Sequence, residues 1–173
     1  FENRLNILTS NALRAGTPLV YVNQVGAHAD IIFDGRSFVL NKNGEIETEL
    51  AAFQEDIQYI SLRDGRIEPL DAEAPSPARS EIGWIHDALV FGLRDYFSKS
   101  GFKKAVLGLS GGLDSALVAA LAAEALGAEN VFTILLPSKY SSDHSLKDAL
   151  DLVRNLGCEH QIIPIQSIVD SFE

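Results

Sequence analysis

The sequence of 173 residues contains no methionine and only one cysteine, Cys158. A single cysteine excludes a disulfide within the chain, so we expect a reducing, cytoplasmic environment. No apolar run reaches the length of about 20 residues that a membrane-spanning helix needs, and no signal peptide is recognisable. Because the sequence begins with Phe1 and lacks methionine, we expect it to be an internal part of a longer chain.

Basic residues are also scarce. The chain has 14 Lys and Arg residues against 24 Asp and Glu residues, which gives a net charge of −10. This balance argues against a nucleic-acid groove or an anionic membrane surface as the partner. The histidines have no metal-ligand spacing. We therefore expect solvated or locally hydrogen-bonded side chains at His28, His86, His144 and His160. Apolar residues make up 46% of the chain, which is enough for a sizeable core.

One segment, residues 105–117, carries the strongest functional signal. An apolar run of strand length breaks at Ser110-Gly111-Gly112 and continues into an Ala/Leu-rich helical pattern. A strand, a glycine turn and a helix in that order form an anion site, because glycine lets the backbone approach a ligand and the first helical N–H groups point at it. Asp114 would repel a phosphate unless a cation came with it, so the segment predicts a phosphate together with Mg²⁺.

The second half of the chain alternates between helical and strand patterns. Ser80 can cap a helix that ends at Gly101, and Ser142 can cap another that ends near Gly157. Further elements are predicted at 105–109 (strand), 115–126 (helix, apolar nearly all round and therefore buried), 131–136 (strand) and 162–165 (strand). Apolar strands that alternate with helices indicate a parallel, doubly wound sheet, whose ligand lies at the carboxyl ends of the strands.

The first half is different in pattern. A helix is predicted over residues 3–15, followed by strands at 19–23, 31–33, 37–40 and 57–62, with a hairpin turn at Asn43-Gly44. Between the halves, residues 69–79 are rich in proline and acidic side chains and poor in large apolar ones, so we interpret them as a linker.

The pattern Ser-Gly-Gly-x-Asp-Ser at residues 110–115 matches the loop of the ATP pyrophosphatases at every position. With residues 107–126 and 136–142, it resembles the start of the synthetase domain of NAD synthetases. Residues 18–26 and 33–39 resemble the end of a nitrilase-type amidase domain. That order is the arrangement of the glutamine-dependent NAD synthetases.

The resemblance implies an α/β chain with two incomplete domains. Residues 1–68 would be the C-terminal part of a nitrilase-like glutaminase, an αββα sandwich. Residues 69–79 would be the linker. Residues 80–173 would begin the ATP-binding domain, a doubly wound parallel sheet of the adenine nucleotide alpha hydrolase type.

The implied reaction is the ATP-dependent conversion of deamido-NAD⁺ into NAD⁺. The nicotinate carboxylate becomes an adenylate, pyrophosphate leaves, and ammonia from glutamine hydrolysis displaces AMP. The implied ATP-binding residues are Gly108, Leu109, Ser110, Gly111, Gly112, Leu113, Asp114 and Ser115, and Asp114 would also bind Mg²⁺. Residues 138–142 follow the next strand and are expected near the ligand. The partners would be ATP, deamido-NAD⁺, glutamine and ammonia, and we expect a homo-oligomer.

The Glu–Lys–Cys triad of a nitrilase-type amidase lies upstream of Phe1 in the family, so no catalytic residue can be assigned in this chain. Cys158 lies between a helix and an apolar strand, and we expect it to pack as a small core residue. Two alternatives remain open at this point. One is another ATP pyrophosphatase, such as a GMP synthetase or a tRNA-thiolating enzyme. The other is a non-catalytic adenosine-nucleotide module, in which Asp114 would have little purpose.

Overall fold

A computed structural model describes residues 1–28, 30–69 and 79–172. The chain forms two compact units, residues 1–88 and residues 89–173. Most of the predicted linker, namely residues 70–78, lies outside the described residues. The elements are α1 (Glu2–Ala15), β1 (Leu19–Tyr21), β2 (Val25–His28), β3 (Ile31–Asp34), β4 (Phe38–Leu40), β5 (Ile46–Glu49), β6 (Ile60–Arg63), β7 (Arg66–Pro69), α2 (Glu81–Ser100), β8 (Ala105–Gly108), α3 (Leu113–Leu126), β9 (Val131–Leu135), α4 (Asp143–Leu156), β10 (Glu159–Ile162) and α5 (Gln166–Asp170).

The first unit is built from small antiparallel sheets and α1. Strands β1, β4 and β5 pair in the order β1-β4-β5, while β2 with β3 and β6 with β7 form separate hairpins. The core lies where α1 covers β4, because Ala12, Phe38 and Leu40 are buried together. The predicted helix and the hairpin turn at Asn43-Gly44 are confirmed, with Gly44 in the left-handed region at φ 77°.

The sequence patterns were less accurate for two hairpins of this unit. The predicted strand over 57–62 begins only at Ile60, and β7, which pairs with it across Asp64-Gly65, was not predicted. Strand β2 was also missed: no strand was predicted between 19–23 and 31–33, although Gly26 lies in β2 and pairs with Phe33. In both places the strand alternation is short or interrupted by glycine, so the pattern carries little signal.

Arg36 holds several parts of the first unit together. Its guanidinium carbon lies 3.5 Å from the ring centroid of Phe1 and 4.2 Å from that of Trp84. Its Nε donates to a carboxylate oxygen of Glu49 at 2.6 Å. The side chain is mostly buried, so both the cation–π contacts and the ion pair are protected from solvent screening.

The second unit contains a parallel sheet in the order β10-β9-β8, as the α/β prediction requires. Helices α3 and α4 contact each other and β9, and the buried core lies between them and the sheet. The buried members of this core are Leu109, Ala119, Ala122, Val131, Leu135, Ala149, Val153 and Cys158. Ser80 and Ser142 cap α2 and α4 as predicted, and Gly101, Gly127 and Gly157 follow the three helices.

Two expectations for this unit are wrong. The third strand is β10 at Glu159–Ile162, not 162–165, because its backbone pairs with β9 from Glu159 onward although its side chains are exposed. Helix α3 is not buried all round. Ala119, Ala122 and Ala125 are buried, but Leu117 and Val118 are 57% and 54% exposed. A helix that packs on one face of a sheet buries only one side, whatever the composition of the other.

Candidate nucleotide-binding site

The Ser-Gly-Gly segment lies between the carboxyl end of β8 and the first turn of α3. Leu109, the residue after β8, is buried, and its N–H donates to the carbonyl oxygen of Ile134 in β9 at 2.9 Å. The loop therefore leaves the sheet from a fixed point. Residues 110–112 turn away from the strand direction, and α3 begins at Leu113 with Gly112 as its N-cap residue.

Ser110 and Ser115 hold the loop closed through their hydroxyl groups. The Ser115 hydroxyl donates to the Gly112 carbonyl oxygen at 3.0 Å and accepts from the Ser110 N–H at 3.2 Å. Because the one hydroxyl proton of Ser115 is used in this way, Ser110 Oγ must be the donor in the 2.9 Å contact between the two hydroxyls. Ser110 Oγ also accepts from the Gly112 N–H at 3.2 Å. The loop is thus shaped by its own side chains.

Gly111 touches the backbone of another helix. It has φ +82°, and a Cβ atom placed on it would lie 2.1 Å from the carbonyl oxygen of Ser145 in α4. It would also lie 2.7 Å from the carbonyl carbon of the same residue. Only glycine fits at this position, because both the backbone conformation and the space exclude a side chain.

The start of α3 offers N–H groups to a ligand. The first intrahelical bond at this end is donated by Ala116 to the Gly112 carbonyl at 3.1 Å, so the N–H groups of the residues before it have no helical partner. No side chain caps the helix. Asp114 lies in this first turn with an exposed side chain, and its carboxylate has no partner among the described residues.

A cavity of about 300 Å³ adjoins the loop at the carboxyl ends of β8 and β9. Its walls are mostly apolar, and the polar side chains that line it are Ser110 of the loop, Ser141 before α4 and Ser145 in the first turn of α4. The lining residues are Gly108, Leu109, Ser110, Ile134, Leu135, Leu136, Pro137, Ser141, Ser145, Leu146 and Ala149. An anion-binding loop beside an apolar cavity suits a ligand with a charged end and a flat apolar end.

The segment 138–142, expected near the ligand, reaches the cavity through Ser141. The Ser141 hydroxyl accepts from the Ser138 N–H at 3.1 Å, and the Ser138 hydroxyl accepts from the Tyr140 N–H at 3.3 Å. The Lys139 N–H donates to the side chain of Gln166 in α5 at 2.5 Å. The segment is therefore tied both to itself and to α5.

The structure brings most of the predicted loop residues together but does not place them all on the cavity. Gly108, Leu109 and Ser110 line it, whereas Leu113 is 83% exposed and Asp114 is exposed as well. The sequence patterns missed Ser145 and the apolar residues that α4 contributes. Ser145 could have been predicted from its position. It lies three residues after Ser142, which caps α4 and ends the segment 138–142 that was expected near the ligand.

Cys158 is buried in the core of the second unit, as predicted, and burial raises the pKa of its thiol. It lines none of the cavity beside the loop. No group of His, Cys, Asp or Glu side chains able to enclose a metal ion occurs in the part of the chain that the structure describes. No helix in residues 1–28, 30–69 and 79–172 is long and apolar enough to cross a membrane.

Comparison with known proteins finds glutamine-dependent NAD(+) synthetases that match almost the whole chain. A glutamine-dependent NAD(+) synthetase from Synechocystis sp. is 48% identical over 172 residues, which cover 98% of this chain and 30% of the relative. The glutamine-dependent NAD⁺ synthetase of Acinetobacter baumannii, solved in complex with ADP, matches with a TM-score of 0.91 and 40% identity. That match covers 99% of this chain and 32% of the other.

A further solved structure matches only part of the chain. The NH₃-dependent NAD synthetase of Campylobacter jejuni is 43% identical with a TM-score of 0.50, and the match covers 54% of this chain and 40% of the other. The chain thus spans about 30% of the length of the glutamine-dependent relatives that it matches almost throughout. The NAD synthase family model matches residues 85–173, about half of the chain, which include the loop and the cavity, and the chain therefore belongs to the NAD synthase family.

Proposed function

We propose that this chain is part of a glutamine-dependent NAD⁺ synthetase and carries its ATP-binding loop. The observation that supports this most is the loop at residues 110–115, which lies at the carboxyl end of a parallel strand, opens a helix and adjoins an apolar cavity. Ligands of open α/β sheets bind at such strand ends. The relatives named above are glutamine-dependent synthetases, and the Acinetobacter neighbour binds ADP. They favour this reaction over a GMP synthetase, a tRNA-thiolating enzyme or a module without catalysis.

The loop would hold the phosphates of ATP, and the cavity would hold the adenosine. The N–H groups of the first turn of α3 and the dipole of that helix favour negative charge. No lysine or arginine occurs between Lys104 and Lys139. A loop that transfers the γ-phosphoryl group usually brings a lysine to the β- and γ-oxygens. A cradle of helix N–H groups, in a loop shaped by two serine hydroxyls, instead suits β- and γ-phosphates that leave together.

The proposed reaction has two steps. An oxygen of the deamido-NAD⁺ carboxylate attacks the α-phosphorus, the bond to the bridging oxygen breaks, and pyrophosphate leaves. Ammonia then attacks the carbonyl carbon of the adenylate, AMP leaves with the former carboxylate oxygen, and the amide is NAD⁺. The residues of this chain would hold the pyrophosphate at Ser110–Ser115 while the substrate is held elsewhere.

Asp114 is the residue that we propose for Mg²⁺. A single exposed carboxylate beside hydroxyl groups fits an ion that usually takes one or two protein carboxylates and completes its shell with phosphate oxygens and water. When bound, Mg²⁺ would lower the charge repulsion as pyrophosphate forms. Asp114 has no competing cation partner within the described residues, so its carboxylate is available for this role.

For the rest of the chain, we propose the domain assignment that the family resemblance implies. Residues 1–68 would belong to the nitrilase-like glutaminase, which supplies ammonia, and residues 80–173 would belong to the synthetase. The antiparallel sheets of the first unit and the parallel sheet of the second support two different domains. We further propose that the protein is a cytoplasmic homo-oligomer that acts on ATP, deamido-NAD⁺ and glutamine.

The bond of ATP that breaks is the decisive test of this function. The full-length enzyme, given ATP, Mg²⁺, ammonia and deamido-NAD⁺ labelled with ¹⁸O in the carboxylate, should release AMP and pyrophosphate in step with NAD⁺. One ¹⁸O atom should appear in AMP. ADP and phosphate as products would refute the assignment of the loop.

Asp114→Asn in the full-length enzyme should reduce ammonia-dependent NAD⁺ formation by a factor of about 10² or more, because the neutral amide does not replace a carboxylate toward Mg²⁺. The Asp114→Asn variant should still be able to hydrolyse glutamine. Asp148→Asn, an exposed residue of α4 that does not line the cavity, is the matched control. Equal NAD⁺ formation by Asp114→Asn and wild type at saturating Mg²⁺ would remove Asp114 from the mechanism.

A further inference from the structure

We propose that the first turn of α4, fixed by Ser142, is the part of the protein that positions the phosphate loop, the name used here for residues 110–115. Ser142 and Ser145 would then be positioning residues, which act on ATP through the loop rather than as catalytic groups. This inference rests on the proposed function for its nucleotide readout. Its structural part, the dependence of the loop on α4, can be measured without any nucleotide.

The contact that carries the inference is between two backbones. A Cβ atom on Gly111 would meet the oxygen, carbon and Cα atoms of Ser145, all within 2.8 Å. A backbone cannot move aside by changing a rotamer, so the loop at Gly111 cannot shift toward α4, and any shift of the Ser145 turn toward the loop would displace Gly111. At the other side of the loop, Leu109 is fixed by its bond to Ile134. The tip of the loop is therefore held between β9 and α4.

The turn of α4 that makes this contact depends on one cap. Ser142 precedes the helix in an extended conformation, and its hydroxyl accepts from the Ser145 N–H at 3.1 Å. The hydroxyls of Ser142 and Ser145 also lie 2.8 Å apart. The same residue, Ser145, thus receives the cap and touches the loop. Loss of the cap would loosen the first turn at the point where the loop rests.

A second contact links this turn to the ligand. The Ser145 side chain lines the cavity beside the loop, together with Ser110. The cavity walls that would hold the adenosine and the loop that would hold the phosphates are therefore both set by the same turn. A change in its position should alter the affinity for ATP more than it alters the bond-forming steps.

The experiment compares helix caps at two places in the full-length enzyme. Ser142→Ala removes the cap of α4, Ser142→Thr keeps a capping hydroxyl, and Ser80→Ala removes the equivalent cap of α2, where the Ser80 hydroxyl accepts from the Gly83 N–H at 3.2 Å. The first readout is amide hydrogen exchange of residues 109–116 in the absence of nucleotide. The second is the Kd for Mg-ATP, with Tm measured for every variant.

We expect exchange in residues 109–116 to accelerate in Ser142→Ala and the Kd for Mg-ATP to rise about three- to tenfold, the size of a lost cap. Ser142→Thr should restore both, and Ser80→Ala should change neither. Unchanged exchange in Ser142→Ala, or an equal change in Ser80→Ala, would overturn the positioning role even if ATP binds normally. Wild-type protein that does not bind Mg-ATP would instead refute the proposed function and the nucleotide part of this inference. If Ser142→Ala does not fold, Ser142→Gly decides, because glycine also lacks the capping hydroxyl but is better tolerated at a helix start. Faster exchange of residues 109–116 in Ser142→Gly would support the positioning role, and unchanged exchange would overturn it.

Discussion

Replacing Gly111 with alanine tests the contact between the loop at residues 110–115 and α4 by its cost in stability. Gly111 has φ +82°, and an alanine in the left-handed region loses about 1–2 kcal/mol. The added Cβ would also meet the Ser145 backbone at 2.1 Å, far inside contact distance. Forcing a methyl group into a filled space costs typically about 1–3 kcal/mol. The two effects together predict a loss of about 2–5 kcal/mol.

Gly101→Ala is the matched control, because it has the same backbone strain without the clash. Gly101 follows α2 with φ +72°, and nothing lies within 4 Å of a Cβ placed there. Its loss should therefore be only the conformational one, about 1–2 kcal/mol. Alanine also restricts the unfolded chain more than glycine does. This effect is the same in both variants, so it cancels when their free energies of unfolding are compared.

The assay is urea unfolding of wild type and of the two variants under identical conditions. The free energy of unfolding should fall by about 1–3 kcal/mol more for Gly111→Ala than for Gly101→Ala, which is the overpacking cost alone. The midpoint should move with little change in slope if the unfolded state is unaltered. Equal losses in the two variants would show that the loop and α4 can separate without cost, and would refute the close contact.

Three further predictions concern two residues away from the loop, Cys158 and Arg36. Cys158→Ala should lower the free energy of unfolding by about 0.5–3 kcal/mol. The proposed glutaminase activity of the full-length enzyme should persist, and its selective loss in a folded variant would contradict the role of Cys158 as a core residue. Burial raises the pKa of the Cys158 thiol, so wild type should lose stability relative to Cys158→Ala as pH rises above the ordinary thiol pKa of about 8.5, because only the unfolded chain then ionises. Arg36→Lys should destabilise the first unit by about 1–2 kcal/mol and shift the fluorescence of Trp84, the one tryptophan in the sequence, because lysine cannot stack between two rings and donate to Glu49 as arginine does. Unchanged Trp84 emission in Arg36→Lys would argue against the stacking.

The features that sequence could predict are those that depend on local chemistry. Gly101 and Gly157 mark helix ends because they take the left-handed conformation, and Ser142 marks a helix start because its hydroxyl replaces a missing helical partner. The loop at residues 110–115 could be found because its residues are consecutive. Each of these signals lies within a few positions of the chain.

The features that sequence missed depend on partners far along the chain. Strand β10 was displaced in the prediction because its polar residues form a strand only through pairing with β9. The exposed side of α3 carries Leu117 and Val118, and composition alone cannot tell which face of an apolar helix meets the sheet. The contact of Gly111 with Ser145 joins residues 34 positions apart, and no local pattern records it.

The hydroxyl network of the loop has a consequence for how its serines can be studied. Ser110 and Ser115 share the 2.9 Å bond between their hydroxyls, so replacing either one by alanine removes that same bond. Ser115→Ala also removes the bonds to the Ser110 N–H and to the Gly112 carbonyl, and Ser110→Ala removes the bond from the Gly112 N–H. The stability lost in the double variant should then be smaller than the sum of the two single losses, by the energy of the shared bond. In thermodynamic terms the two serines are one coupled element, and neither has a separate free energy that alanine scanning could assign to it.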